Sequence, residues 1–230
     1  MHGAWQRKLC GRRGMRRLRL SGFVRFERLM RKYFFLLFVA ASLAGCAPSL
    51  SDAERSVIRA GESEIMHTYT IRSYDEARLL RMRARKMSAR VLRSDDYRVL
   101  RRRMLATVNN PADEGVGIAA PQVGVSRRVI AVQRYDKAGE PFEFFINPEI
   151  LQYGDSSAAG MEGCLSVPVV YGKVLRPQSV RLRYRDEDYR LRTETVSGFT
   201  AVILQHEIDH LDGILFIDRM IPGSEHYETE

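Results

Sequence analysis

The chain has 230 residues, with 37 Lys and Arg against 28 Asp and Glu, a formal net charge of +9 and an apolar fraction of 45%. Those values are ordinary for a globular protein and exclude wholesale disorder, a collagen-like repeat and a multi-span membrane protein. The excess charge suggests a nucleic-acid partner, but it is confined to the front. Residues 1–45 hold 11 basic residues and one acid, Glu27, whereas residues 46–230 hold 26 basic residues against 27 acids. No nucleic-acid partner is therefore expected of the main body, which is long enough for a proper core.

In chain order, the front reads as a targeting signal. Met30-Arg31-Lys32 is a short positive segment, and residues 33–43 are uncharged and mostly apolar. That stretch has the length of a signal-peptide core and is too short to span a bilayer, which takes about 20 residues. It ends in Leu43-Ala44-Gly45-Cys46, which resembles the lipobox of bacterial lipoproteins. The resemblance implies cleavage before Cys46, acylation of its thiol, and a lipid-anchored place in the bacterial cell envelope. Residues 30–45 are then the signal peptide, and residues 1–29 are expected to be upstream sequence translated in error. Residues 47–52 read as a short tether, and residues 46–71 together as tether and weakly patterned lead-in. Of the three cysteines, Cys10, Cys46 and Cys164, only Cys164 remains as a thiol in the mature chain, so no intramolecular disulfide is expected.

Residues 72–103 carry 12 basic residues against 4 acids, read as a solvated helix face. Tyr97, Leu100, Met104, Leu105 and Val108 recur at helical spacing, with Ser94 as the cap and Asn109-Asn110-Pro111 as the stop. A β-rich middle follows. Residues 128–133 and 142–146 flank Asp136-Lys137-Ala138-Gly139, a hairpin signal, and residues 180–184 and 189–196 alternate as half-wet strands. A second helix is predicted over residues 199–211, stopped by Asp212-Gly213. Helix, strands, helix predicts one α+β domain.

Three segments carry chemistry. In Gln205-His206-Glu207-Ile208-Asp209-His210, the two histidines stand one helical turn apart, so both imidazoles can bind one metal with Glu207 beside them as general base. Phe199, Val202 and Ile203 share that side, which would turn the imidazoles inward. Glu162-Gly163-Cys164-Leu165-Ser166 offers a thiolate as third ligand, although a lone cysteine is often just a small buried hydrophobe. Residues 115–124, Gly-Val-Gly-Ile-Ala-Ala-Pro-Gln-Val-Gly, contain a G-x-G-x-x-A pattern, but without a preceding strand or βαβ unit it is no dinucleotide fingerprint. Its glycines permit close approach of a ligand to the backbone, and Gln122 can donate into a cleft.

The set GVGIAAPQ, EGCLS and QHEIDH, in that order, resembles the peptide deformylases, over roughly residues 72–220. The resemblance implies an α+β fold with mixed β-sheets packed around a central helix that carries HExxH, preceded by an N-terminal helix, and a short tail over residues 221–230. It implies hydrolysis of the N-formyl group of N-formylmethionyl peptides, with release of formate, by a metal-activated water. Residue by residue, Cys164, His206 and His210 would be the metal ligands and Glu207 the general acid/base. Gln122 and the backbone N–H of Leu165 would face the oxyanion, and Val116 and Gly117 would line the groove for the methionine and the peptide backbone. The metal would be Fe²⁺, with Ni²⁺, Co²⁺ or Zn²⁺ able to replace it, and the chain a monomer. Many members have an Arg where Tyr171 and Val202 stand, which puts the peptide preference in question. Alternatives are a metallopeptidase sharing HExxH, a lipid-anchored binding module that keeps the site, and a cytoplasmic deformylase with an uncleaved leader.

Overall fold

The computed structural model describes residues 49–227 except 62 and 113. Cys46 and the whole leader, and with them the proposed lipidation site, lie outside the described residues. The chain runs through three short helices, α1 (Asp52–Arg59), α2 (Tyr74–Leu80) and α3 (Ala89–Leu92), into a longer one, α4 (Asp95–Val108). Strands β1 (Gly117–Ala119), β2 (Val129–Gln133), β3 (Phe142–Tyr153), β4 (Ser157–Cys164), β5 (Val167–Pro177), β6 (Ser179–Arg185) and β7 (Leu191–Ser197) follow. Helix α5 (Phe199–Leu211) and strand β8 (His226–Tyr227) complete the order.

The local reasons are those of the sequence. Ser94 accepts from the Tyr97 N–H and caps α4, and Asp95 and Asp96 sit in its positive first turn. Leu100, Met104 and Val108 are fully buried along one stripe. Helix α5 buries ten of its thirteen residues, among them the polar Gln205, Glu207, Asp209 and His210.

The strands form a five-stranded sheet, β1-β2-β3-β6-β7, and a three-stranded one, β4-β5-β8. Every named strand pair is antiparallel, which corrects the expectation of mixed sheets. Most neighbours here are joined directly by short connections, which permit only antiparallel pairing. Among the described residues, the one parallel pairing is the isolated Arg85–Arg127 bridge.

Strand alternation sets the two sides of the larger sheet. Val129 and Ala131 of β2 face a core shared with α1 and α4, whereas Ile130 and Val132 face the core built on α5. The lead-in is more ordered than its weak pattern suggested. Leu50 and Ile58 are buried, and Ser51 and Glu54 form a reciprocal capping box at the start of α1. Of the six-residue tether read over 47–52, the part from Ser49 onward is therefore folded onto the domain.

Candidate active site

Cys164 ends β4 at the tip of the β4–β5 hairpin, where Leu165-Ser166 makes the turn and Cys164 pairs with Val167. The Ser166 N–H points at the Cys164 Sγ from 3.4 Å. Gly163 is required there, because a Cβ would stand 2.5 Å from the Tyr171 ring. Helix α5 supplies the facing groups: His210 Nε2 lies 3.2 Å from the Cys164 Sγ, and the His206 and His210 rings are 5.1 Å apart. One donor atom from each of Cys164, His206 and His210 falls within 4.8 Å of the others.

The surrounding hydrogen bonds aim these donors. His206 Nδ1 is 2.9 Å from Glu162 Oε2, which leaves the other ring nitrogen free as a ligand. Glu162 is gripped by Arg176 at 2.8 and 3.0 Å, and Arg176 also reaches Asp209 of α5 at 2.5 Å. Arg219 completes the chain with bonds of 2.6 and 2.7 Å to Asp209. Burial would raise the Glu162 carboxyl, but His206 and Arg176 together hold it at about 2. Burial likewise opposes charge on the Cys164 thiol, yet His210 and His206 outweigh it and hold the thiol well below its ordinary range. A thiolate and two oriented imidazoles are the donor set of a catalytic metal site, so the residues present fit a divalent ion.

Glu207 follows His206 on α5 but stands outside the ligand trio. Its carboxyl is buried, one oxygen, Oε2, has no partner, and burial pushes it up to about 7. Gly117 of β1 lies against it: a Cβ there would come within 2.6 Å of Glu207 Oε1 and 2.8 Å of Ile203. Gln122 is oriented by the Ala119 N–H, which donates to its Oε1 at 2.8 Å. Its amide nitrogen therefore faces Ser166 Oγ at 3.3 Å and Cys164 Sγ at 3.6 Å. Val116, Gly117, Leu165, Tyr171, Val202 and Phe199 line a cavity of about 560 Å³ that opens beside these groups.

The structure thus brings together every site residue expected within the described part of the chain. Phe199 departs from expectation: it is 56% exposed at the cleft rim against Tyr135, not packed inside. Residues 117–119 form an edge strand paired with β2. Arg176, Asp209 and Arg219 had no role in the sequence reading, because their partners lie far off along the chain. Glu162 carried a local signal, two residues before the thiol.

The fold and this site define a metal-dependent hydrolase. The sequence profile described as "Polypeptide deformylase" matches residues 68–226, and the chain belongs to the peptide deformylase family, hydrolases that remove the N-formyl group from nascent peptides. It is 44% identical over 139 residues to a peptide deformylase of Prochlorococcus marinus strain MIT 9312, covering 59% of this chain and 68% of that one. It is 38% identical over 149 residues to that of Leptospira biflexa, covering 62% and 82% of the two chains. Among solved structures, the class I type b peptide deformylase of Acinetobacter baumannii with Met-Ala-Ser bound superposes with a TM-score of 0.61 at 38% identity. That match covers 68% of this chain and 98% of the other.

Proposed function

We propose that deformylation runs on Cys164, His206 and His210 as metal ligands, with Glu207 as the group that moves the proton. The observation that carries this is the convergence of the three donors beside a buried carboxyl with an unpartnered oxygen. A divalent ion held there would act as a Lewis acid and lower the pKa of water. The other steps belong to the chain. Glu207 accepts a proton at its carboxylate and passes it to the amine nitrogen that leaves. Its burial among apolar groups keeps its affinity for the proton near that of the working pH. The Gln122 amide donates to the oxygen on which negative charge develops, and the Leu165 N–H serves as the second donor. Glu162 fixes the His206 ring, and Arg176 fixes Glu162. Val116 and Gly117 form the wall along which the methionine and its backbone lie.

The thiolate makes the ligand set soft, which favours Fe²⁺ and makes the site sensitive to oxidation. Ni²⁺, Co²⁺ or Zn²⁺ fit the same donors. The chain acts as a monomer on formylmethionyl termini, bound to no nucleic acid. Its place is the bacterial cell envelope, reached through the signal over residues 30–45 and held by acylation of Cys46. There it meets formyl peptides or exported formylated termini rather than chains at the ribosome.

Co²⁺ loading tests the ligand set. A thiolate charge-transfer band should appear and should vanish in Cys164→Ala, while Glu207→Ala keeps the band and loses formate release. Loss of the band in Glu207→Ala would contradict the assignment. A radioactive fatty acid incorporated by the wild type and not by Cys46→Ala tests the anchor; no incorporation by the wild type would contradict it.

A further inference from the structure

On the side of the larger sheet away from α5, a buried cation pins the first described residues to the domain. Arg127 is fully buried, and its Nε and Nη2 donate to the two Glu54 oxygens at 2.8 and 2.9 Å. The same guanidinium bonds the carbonyl of Lys86 at 3.5 Å and that of Ser49. Leaving such a group unpartnered is strongly unfavourable, so the attachment is firm. Ser49, the first described residue, is therefore held on the domain. Only two residues separate Ser49 from Cys46, and three peptide units reach at most about 11 Å.

Basic residues lie close to Ser49. Lys86 shares the Arg127 guanidinium with Ser49, and Arg85 Nη2 lies 3.2 Å from Glu54 with its side chain 56% exposed. Arg90 on α3 and Arg93 just after it are exposed and form no ion pair among the described residues. The nearby acids are already matched. Glu54 is neutralised by Arg127, Asp52 and Asp96 pair with Arg55 and Arg59, and Glu149, which faces Lys86, pairs with Arg183. No residue of α1 or α3 lines the cleft.

We propose that the face formed by Arg85, Lys86, Arg90 and Arg93 seats the domain on an anionic bilayer surface. The inference rests on the reading of Cys46 as the acylated residue. A bilayer is favoured as the occupant because an acylated Cys46 would lie within about 11 Å of Ser49, whose carbonyl shares the Arg127 guanidinium with that of Lys86 on this face. The acyl group supplies attachment, and the basic residues supply orientation by attraction to anionic headgroups. The cleft, built from β1, β4, β5 and α5, is left outside the seated face.

The test uses the three lysines of residues 46–230, namely Lys86, Lys137 and Lys173. The full chain is expressed in a bacterial host with radioactive fatty acid, purified in detergent and reconstituted into phosphatidylcholine vesicles with or without phosphatidylglycerol. Amine acetylation and peptide mapping then read each lysine. Lys86 should label severalfold more slowly in the anionic vesicles than in the neutral ones, with Lys137 and Lys173 unchanged. High salt, or Arg90→Glu with Arg93→Glu, should remove the difference while formate release in detergent stays the same. Equal labelling of Lys86 in both vesicles, with the fatty acid present, would overturn the proposal alone. Absence of the fatty acid would overturn the anchor reading and the proposal with it. Protection of Lys86 by ribosomal RNA but not by vesicles would overturn it in favour of a nucleic-acid surface.

Discussion

At the residue scale, the chemistry depends on a few side chains that are buried but not fully satisfied. Glu207 is one: its free Oε2 has a purpose only if something comes to it. Glu207→Gln keeps shape and removes the base, so formate release should fall by about 10²–10⁴-fold with metal content unchanged, as measured by metal analysis beside the assay. Gln122→Leu removes one oxyanion donor, and kcat should fall about 10²–10³-fold with little change in KM. Gly117→Ala is a subtler case. The new methyl would stand 2.6 Å from Glu207 Oε1, so Glu207 or β1 must shift. Turnover should drop while the Co²⁺ spectrum of the ligand trio stays intact.

At the element scale, the β4–β5 hairpin and α5 are two separate pieces that must meet within about an ångström. The Glu162–Arg176–Asp209–Arg219 chain joins them, with Glu162 and Arg176 on the hairpin strands and Asp209 on the helix. Arg176→Met removes the cation between two buried carboxylates and leaves Glu162 to His206 and Asp209 to Arg219 alone, so the thermal midpoint should fall by an amount equivalent to up to about 3–5 kcal/mol. Glu162→Gln should weaken metal binding by about 10–100-fold, read by competition with a chelator, because the His206 ring loses its anchor. On β5, Val169 sits at φ 63, a left-handed conformation that a β-branched residue adopts only under strain, at the wall of the cleft. Relief of that strain in Val169→Gly should raise stability by about 1 kcal/mol after the added flexibility is counted, measured by urea unfolding. The elements themselves differ in how far they could be read in advance. Helix α4 was legible because its cap and apolar spacing are local, and α5 because Gly213 stops it. The β4–β5 hairpin was not: residues 157–160 are small and exposed, and they lack the alternation that marks a half-buried strand. The ligand trio was legible from motif order, whereas the Arg176 network was not, since its pairing is decided by tertiary contact alone.

At the scale of the whole molecule, charge again decides. Arg134 is buried among Asp136, Glu143 and Glu194, which ties the β2–β3 turn, β3 and β7 together. The Arg134 guanidinium beside Asp136 holds its carboxyl down at about 2, below its ordinary 3.8. A carboxyl lowered by folding adds stability that is complete above the unfolded value and is lost as pH falls through the folded one. The thermal midpoint should therefore decline from about pH 4 toward pH 2, and Asp136→Asn should flatten that decline while lowering the midpoint at neutral pH. Removal of residues 1–45 would convert a chain of net charge +9 into a nearly neutral one. The folding of Ser49 onto Arg127 then determines which face the anchor would present.

The central claim is that this chain cleaves a formyl group and not a peptide bond. The direct measurement loads the protein anaerobically with Fe²⁺ and follows both formate and free new amines from a formyl-Met tripeptide and from its unformylated counterpart. Formate released in step with one new amine from the formylated peptide alone, and abolished in Glu207→Ala, is the predicted result. Cleavage of internal peptide bonds in either substrate, or no formate from a folded and metal-loaded protein, would contradict it.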